Sequence, residues 1–65
     1  MTERSRNTLR ILRAKLLSEA RTLRQNAAVS ATCGDHEEAE AIFATADGLN
    51  READAITDAL ESENQ

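Results

Sequence analysis

Apolar residues in the second half of the chain recur in one unbroken rhythm. Ala39, Ile42, Ala46, Leu49, Ala53, Ile56 and Leu60 follow one another at steps of three and four. That spacing puts side chains on one face of a helix. The strict alternation of the two steps makes a heptad seam. Small residues at 39, 46 and 53 alternate with large ones at 42, 49 and 56, so facing layers interdigitate. The first half has a looser version of the same rhythm, in Leu9, Leu12, Leu16, Ala20, Leu23 and Ala27. The pattern predicts a single domain over residues 1–65, with a helix over 3–29, a turn over 30–35 and a helix over 36–62. A lone seam on each helix needs a partner, so the expected fold is all-α, an antiparallel helical hairpin that dimerises into a four-helix bundle.

The break between the helices is Ser30-Ala31-Thr32-Cys33-Gly34-Asp35. Gly34 supplies backbone freedom there. Asp35 reads as an N-cap, with Glu38 three residues later completing a capping-box-like pair. Glu37, Glu38 and Glu40 suit the positive end of the second helix dipole.

In an antiparallel pair, the numbers of facing residues have a constant sum. Leu9 with Ile56, Leu12 with Ala53, Leu16 with Leu49 and Leu23 with Ile42 all sum to 65. The turn these pairs require is centred near residues 32–33, where the break lies. Register and turn therefore agree.

Charge divides the chain as the helices do. Residues 1–29 hold seven basic residues against Glu3 and Glu19, a net +5, and residues 30–65 hold ten acids against Arg51, a net −9. Arg6, Arg10, Arg13, Arg21 and Arg24 line one flank of the first helix, interrupted by Leu17. Glu40, Asp47, Asp54, Asp58 and Glu61 line the matching flank of the second. The expected pairs are Arg24 with Glu40, Arg10 with Asp54 and Arg6 with Asp58, with Arg13 falling opposite Arg51. Exposed pairs contribute about 0–1 kcal/mol each, so they would set register more than stability. The alternative use of the arginine stripe is phosphate binding.

Composition excludes more than it selects. There is no proline, Trp or Tyr, and Cys33 is the sole cysteine, so no internal disulfide forms. No apolar run is long enough to span a membrane. Met1 to Arg10 has no apolar leader segment after its charges, and a cytoplasmic location is expected. One His and one Cys give no nucleophile with a base and an orienting group, so no enzyme activity, no catalytic residue and no cofactor is predicted. Cys33 and His36 are spaced C-x-x-H, but zinc needs about four ligands and no other Cys or His exists. They read as a loop thiol and a first-turn histidine, and no metal is predicted.

The second helix carries another face of nearly all small residues, Ala41, Ala44, Thr45, Gly48, Glu52, Ala55 and Ala59. Gly48 in a helix interior costs about 1 kcal/mol relative to Ala. Such a face suits close approach of another helix, or it is helix-favouring filler. Phe43, the only aromatic residue, lies beside the acidic stripe and is expected in the core or a dimer interface, with a hot spot for a partner as the alternative.

In its layout the chain resembles the Rop (Rom) family of plasmid copy-control proteins. Similar features are the length, the basic first helix, the acidic second helix and the polar tail Glu61-Ser62-Glu63-Asn64-Gln65. The alternation Ala39, Ile42, Ala46, Leu49, Ala53 and the run Ala46-Asp47-Gly48-Leu49-Asn50-Arg51 are also similar. The resemblance implies a homodimeric four-helix bundle that binds paired RNA loops through its first helices. Arg4 would then match a basic end residue of the family. The family's central phenylalanine has no counterpart, because Ala14 and Lys15 occupy that region.

The leading functional expectation is a small regulator or inhibitor, of a kind that phages and plasmids encode. It would act as a homodimer on a protein partner through Phe43, Asp47, Gly48 and Asp54. A second expectation is an RNA-binding regulator that uses Arg4, Arg10, Lys15, Arg21 and Arg24. A third is a structural subunit that completes a bundle in a larger assembly.

Overall fold

A computed structural model describes residues 1–63. Two helices, α1 (Glu3–Thr32) and α2 (His36–Glu63), pack side by side as an antiparallel hairpin. The hairpin measures 48 × 15 × 11 Å. No helix among the described residues is long and apolar enough to cross a membrane.

Both helix starts are capped as their sequences require. Thr2 stands in extended backbone, and its hydroxyl accepts from the Ser5 amide at 3.1 Å. Asp35 caps α2 by accepting from the Glu38 amide at 3.2 Å. The reciprocal half of the capping box is replaced. The Asp35 amide donates to the Ser30 carbonyl at 2.9 Å and is therefore occupied.

That replacement explains why α1 runs to Thr32 and past the expected Val29. The Gly34 amide donates to Ala31 and the Asp35 amide to Ser30. Together they form the Schellman arrangement that satisfies the last carbonyls of a helix. It demands a left-handed residue, and Gly34 supplies it at φ 87°. Thr32 also donates from its hydroxyl to the Ala28 carbonyl at 2.8 Å, which keeps the last turn helical.

The seam between the helices is made of alanine. Ala20, Ala27, Ala39, Ala46, Ala53 and Leu60 are buried, and Ala27 and Ala46 are wholly inaccessible. Each lies seven residues from the next on its own helix. Small side chains at the line of contact allow the backbones to approach closely. The expected α2 seam is therefore inward along its whole length, with 39, 46, 53 and 60 buried and Ile42, Leu49 and Ile56 half-buried.

Helix α1 corrects the sequence reading. Stepping back by sevens from Ala27 and Ala20 reaches Arg13 and Arg6, which are half-buried, while Leu12 is 44 % exposed. Leu12 therefore does not face Ala53. The alanine rows fix the rotation of α1, and two arginines inherit the inward positions. An arginine suits such a position, because its aliphatic stem can cover apolar surface while the charged head stays at the edge. Arg13 donates to the Thr57 hydroxyl at 3.3 Å, across the pair.

The alanine rows also sort every other side chain. On a right-handed helix, residues three and four positions after an alanine diverge to opposite sides of the seam. Because the helices are antiparallel, equal offsets emerge on the same broad face of the hairpin. One face gathers Leu9, Leu16, Leu23, Ile42, Leu49 and Ile56, all half-buried, with exposed Leu12 beside them. The other gathers Arg10, Leu17, Arg21 and Arg24 from α1, and Phe43, Asp47, Asn50 and Asp54 from α2. The hairpin thus has an aliphatic face and a charged face.

Candidate functional site

The charged face is where the two charge stripes meet. Arg24 pairs with Asp47 at 3.4 Å, with both side chains more than half exposed. The partner is Asp47 in place of the expected Glu40, two helical turns further along α2. Arg10 turns along its own helix to Glu3 at 3.3 Å and Asn7 at 2.9 Å, so it does not reach Asp54. A local carboxylate within seven residues competes successfully with one across the seam, because exposed arginine side chains follow the nearest acceptor at little cost. Arg13, expected opposite Arg51, is bonded to Thr57.

Two large apolar side chains stand among these charges. Leu17 is 42 % exposed and Phe43 is 41 % exposed. A shallow groove of about 450 Å³ runs beside Leu17, lined by Ala20, Arg21, Arg24, Gln25, Ala28 and Asn50. Its floor is apolar and its rim carries two guanidinium groups.

The sequence-predicted contact residues divide between surfaces. Phe43, Asp47 and Asp54 share the charged face, with Asp47 and Phe43 one helical turn apart. Gly48 lies on the outer side of α2, and a Cβ built there meets nothing within 4 Å. The hairpin itself therefore has no need of glycine at this position. Gly48→Ala is expected to raise the unfolding free energy by about 0.5–1 kcal/mol, read from thermal melts followed by circular dichroism. No gain, or a loss, would show that another chain occupies the space.

The RNA candidates are also split. Arg10, Arg21 and Arg24 lie on the charged face, Arg4 and Lys15 on the outer side of α1. Arg10 and Arg24 already hold acids, whereas Arg4, Lys15 and Arg21 have no ion-pair partner among the described residues. The acids of α2 share the face that the arginines occupy. In the sequence Leu17 registers only as a gap in the arginine stripe. Its signal was present, since a lone leucine in a charged row is conspicuous.

One carboxyl at the turn is perturbed by its neighbour. The Glu38 carboxyl is held above the usual carboxylate range, first by a hydrogen bond with Asp35 and then by the Asp35 charge, with Ser30 pulling the other way. A raised folded-state value means the ionised form is disfavoured in the fold. The penalty is present above that value and is relieved as pH falls through it. Glu38→Gln should therefore raise the melting temperature slightly at pH 7 and low salt. The gain should vanish in acid, where Glu38 itself is protonated. Paired melts at the two pH values check this, and an unchanged gain in acid would point to helix propensity instead. His36 and Cys33 flank this turn, and no grouping of three or more His, Cys, Asp and Glu side chains suited to a metal occurs among the described residues.

No protein-family model, curated protein or solved structure matches the chain. The resemblance to the copy-control family is therefore one of architecture, a two-helix antiparallel hairpin.

Proposed function

We propose that this chain is a non-enzymatic regulator that acts as a helical homodimer and binds a protein partner through its charged face. One observation carries the reading: Leu17 and Phe43 stand exposed within a two-signed field of arginines and aspartates. Exposed apolar anchors in such a field suit a folded protein surface, where they find pockets and the charges find opposites. A phosphate backbone suits them less, because Asp47, Asp54 and Glu40 lie on the same face as the arginines and would repel it. The lack of any grouped nucleophile and base in the sequence agrees with a binding role.

The test is size-exclusion chromatography with light scattering, refractive index and absorbance at 260 nm, followed by affinity capture with wild type and with Leu17→Ser/Phe43→Ser. The chain has no Trp or Tyr, so absorbance at 260 nm reports nucleic acid almost alone. The expected result is a peak near twice 7.1 kDa without that absorbance, and a protein retained by wild type and lost by the double variant. A 260 nm signal that high salt removes would overturn the protein reading in favour of RNA. Equal retention by the double variant would overturn the assignment of the face.

A further inference from the structure

The groove beside Leu17 has a charge of its own. Leu17, Ala20 and Ala28 give its apolar lining, and among the described residues Arg21 and Arg24 are the only charged ones that border it. This local excess of positive charge stands out in a chain that is net −4. Glu40, Asp47 and Asp54 share the charged face, but they stand across the seam on α2. Arg24 reaches over to Asp47 at 3.4 Å, whereas Arg21 has no ion-pair partner among the described residues. The groove therefore presents one engaged and one unengaged guanidinium beside an exposed leucine, which suits a ligand that is apolar and anionic at once.

Shape narrows the choice. Leu17 and Ala28 are eleven residues apart on one helix, about 16 Å at ~1.5 Å per residue. That is the length of three helical turns. On α1 the lining residues recur at steps of three and four, and such a row is what a second helix packs against. The short side chains of Ala20 and Ala28 leave the hollow, beside the longer Leu17, Arg21 and Arg24. A nucleic-acid strand fits less well, because its phosphates recur about every 3.4 Å and some would lie over the α2 acids. The lining also offers no aromatic ring for a base to stack on. A peptide helix presents carboxylates at a few positions only, so it can offer them to α1 while its side toward α2 stays neutral or basic.

We infer that the groove holds an acidic amphipathic helix of the protein partner. An apolar side chain of that helix seats against Leu17 and Ala20, and carboxylates one turn apart meet Arg21 and Arg24. This rests on the protein-binding reading above and names the partner's chemistry. Arg21 supplies the unengaged charge and Leu17 the apolar contact, so binding depends on both.

The probe is a phage-displayed library of helical peptides about four turns long with one face randomised. It is selected on wild type and counter-selected on Leu17→Ser/Arg21→Glu. The best peptide is then synthesised, its affinity measured by fluorescence anisotropy and its contacts mapped by amide shifts, with melts of each variant to confirm folding. The expected result is enrichment of Glu or Asp one turn from Leu or Phe, with shifts centred on residues 17–28. Leu17→Ser and Arg21→Glu should each weaken binding about tenfold or more. Lys15→Glu, the same charge change on the outer side of α1, should weaken it less than about twofold. A basic or purely apolar consensus overturns the acidic partner, and leaves the charged face standing if its shifts still fall on Leu17 and Phe43. Shifts on the aliphatic face defeat the charged-face reading itself, and this inference with it. No enrichment over the double variant overturns the groove as a helix site, while the capture experiment above still decides the charged face. A mixed-sequence single-stranded RNA that binds more tightly than any selected peptide, and loses that binding with Arg21→Glu, overturns the peptide in favour of nucleic acid. A wild-type oligomer that Arg21→Glu dissociates puts a second copy in the groove and overturns the partner helix.

Discussion

Ala46→Leu should lower the stability of this protein markedly. Ala46 is wholly inaccessible and lies at the line of contact between the helices. A leucine there adds three carbon atoms where the alanine rows have already brought the backbones together. They can be housed only by moving α1 and α2 apart or by forcing a poor rotamer. Overpacking of this kind costs about 1–3 kcal/mol, and the upper end applies where backbone on both sides must give way. For a hairpin whose buried residues are nearly all alanine, that is a large share of the stability available. Thermal melts by circular dichroism should show the midpoint falling by many degrees. The control is Ala44→Leu, at an exposed position of the same helix, which should stay within about 0.5 kcal/mol of wild type. Equal effects of the two would mean that the alanine seam does not set the spacing of the helices.

The same seam explains what could be read from the sequence. In α2 the rhythm of small and large residues carried the rotation, the length and the inward rows, because every inward position is apolar. In α1 the rhythm misled. Leucine at 12 is a stronger apolar signal than arginine at 13, so hydrophobic periodicity chose Leu12 for the interior. The structure chooses Arg13, because the close approach of Ala20 and Ala27 to α2 leaves no freedom to rotate the helix toward Leu12. A periodicity argument weighs residues one at a time, whereas the rotation of a helix is decided by its tightest contact. The charge stripes were legible to the same depth. Their meeting on one face follows from the rotation of the helices, but the partner of each arginine does not. Arg24 spans to Asp47 and Arg10 bends back to Glu3, choices between exposed carboxylates of nearly equal energy.

The placement of Leu12 outside the seam bears on function. Had it packed inward, the hairpin would have offered one apolar line and an otherwise polar surface. Outside, it extends the aliphatic face and separates that face more sharply from Leu17 and Phe43 on the opposite one. Two apolar surfaces of different character then exist on a single hairpin. One is broad and nearly uncharged. The other consists of isolated apolar side chains among ions of both signs.

Leu60→Ala should open the free end of the hairpin. Leu60 is 5 % exposed and, among the described residues, is the only large apolar side chain that is buried. It stands where the inward row of α1 has arginines instead of alanines, so it must fill the space that the short seam residues leave near the chain ends. Removing a buried leucine side chain costs about 2–5 kcal/mol, and the lower part of that range applies near a helix end that can relax. The loss should be local before it is global. Amide exchange should quicken most over the last two turns of α2, while the turn around Gly34, held by its own backbone hydrogen bonds, should be protected as in wild type. Leu17→Ala, which removes an equally large but exposed side chain, should leave exchange at that end unchanged. Uniform quickening along both helices would instead show that the hairpin opens as one unit. In that case Leu60 would act on the whole seam, and the end would have no stability of its own to lose.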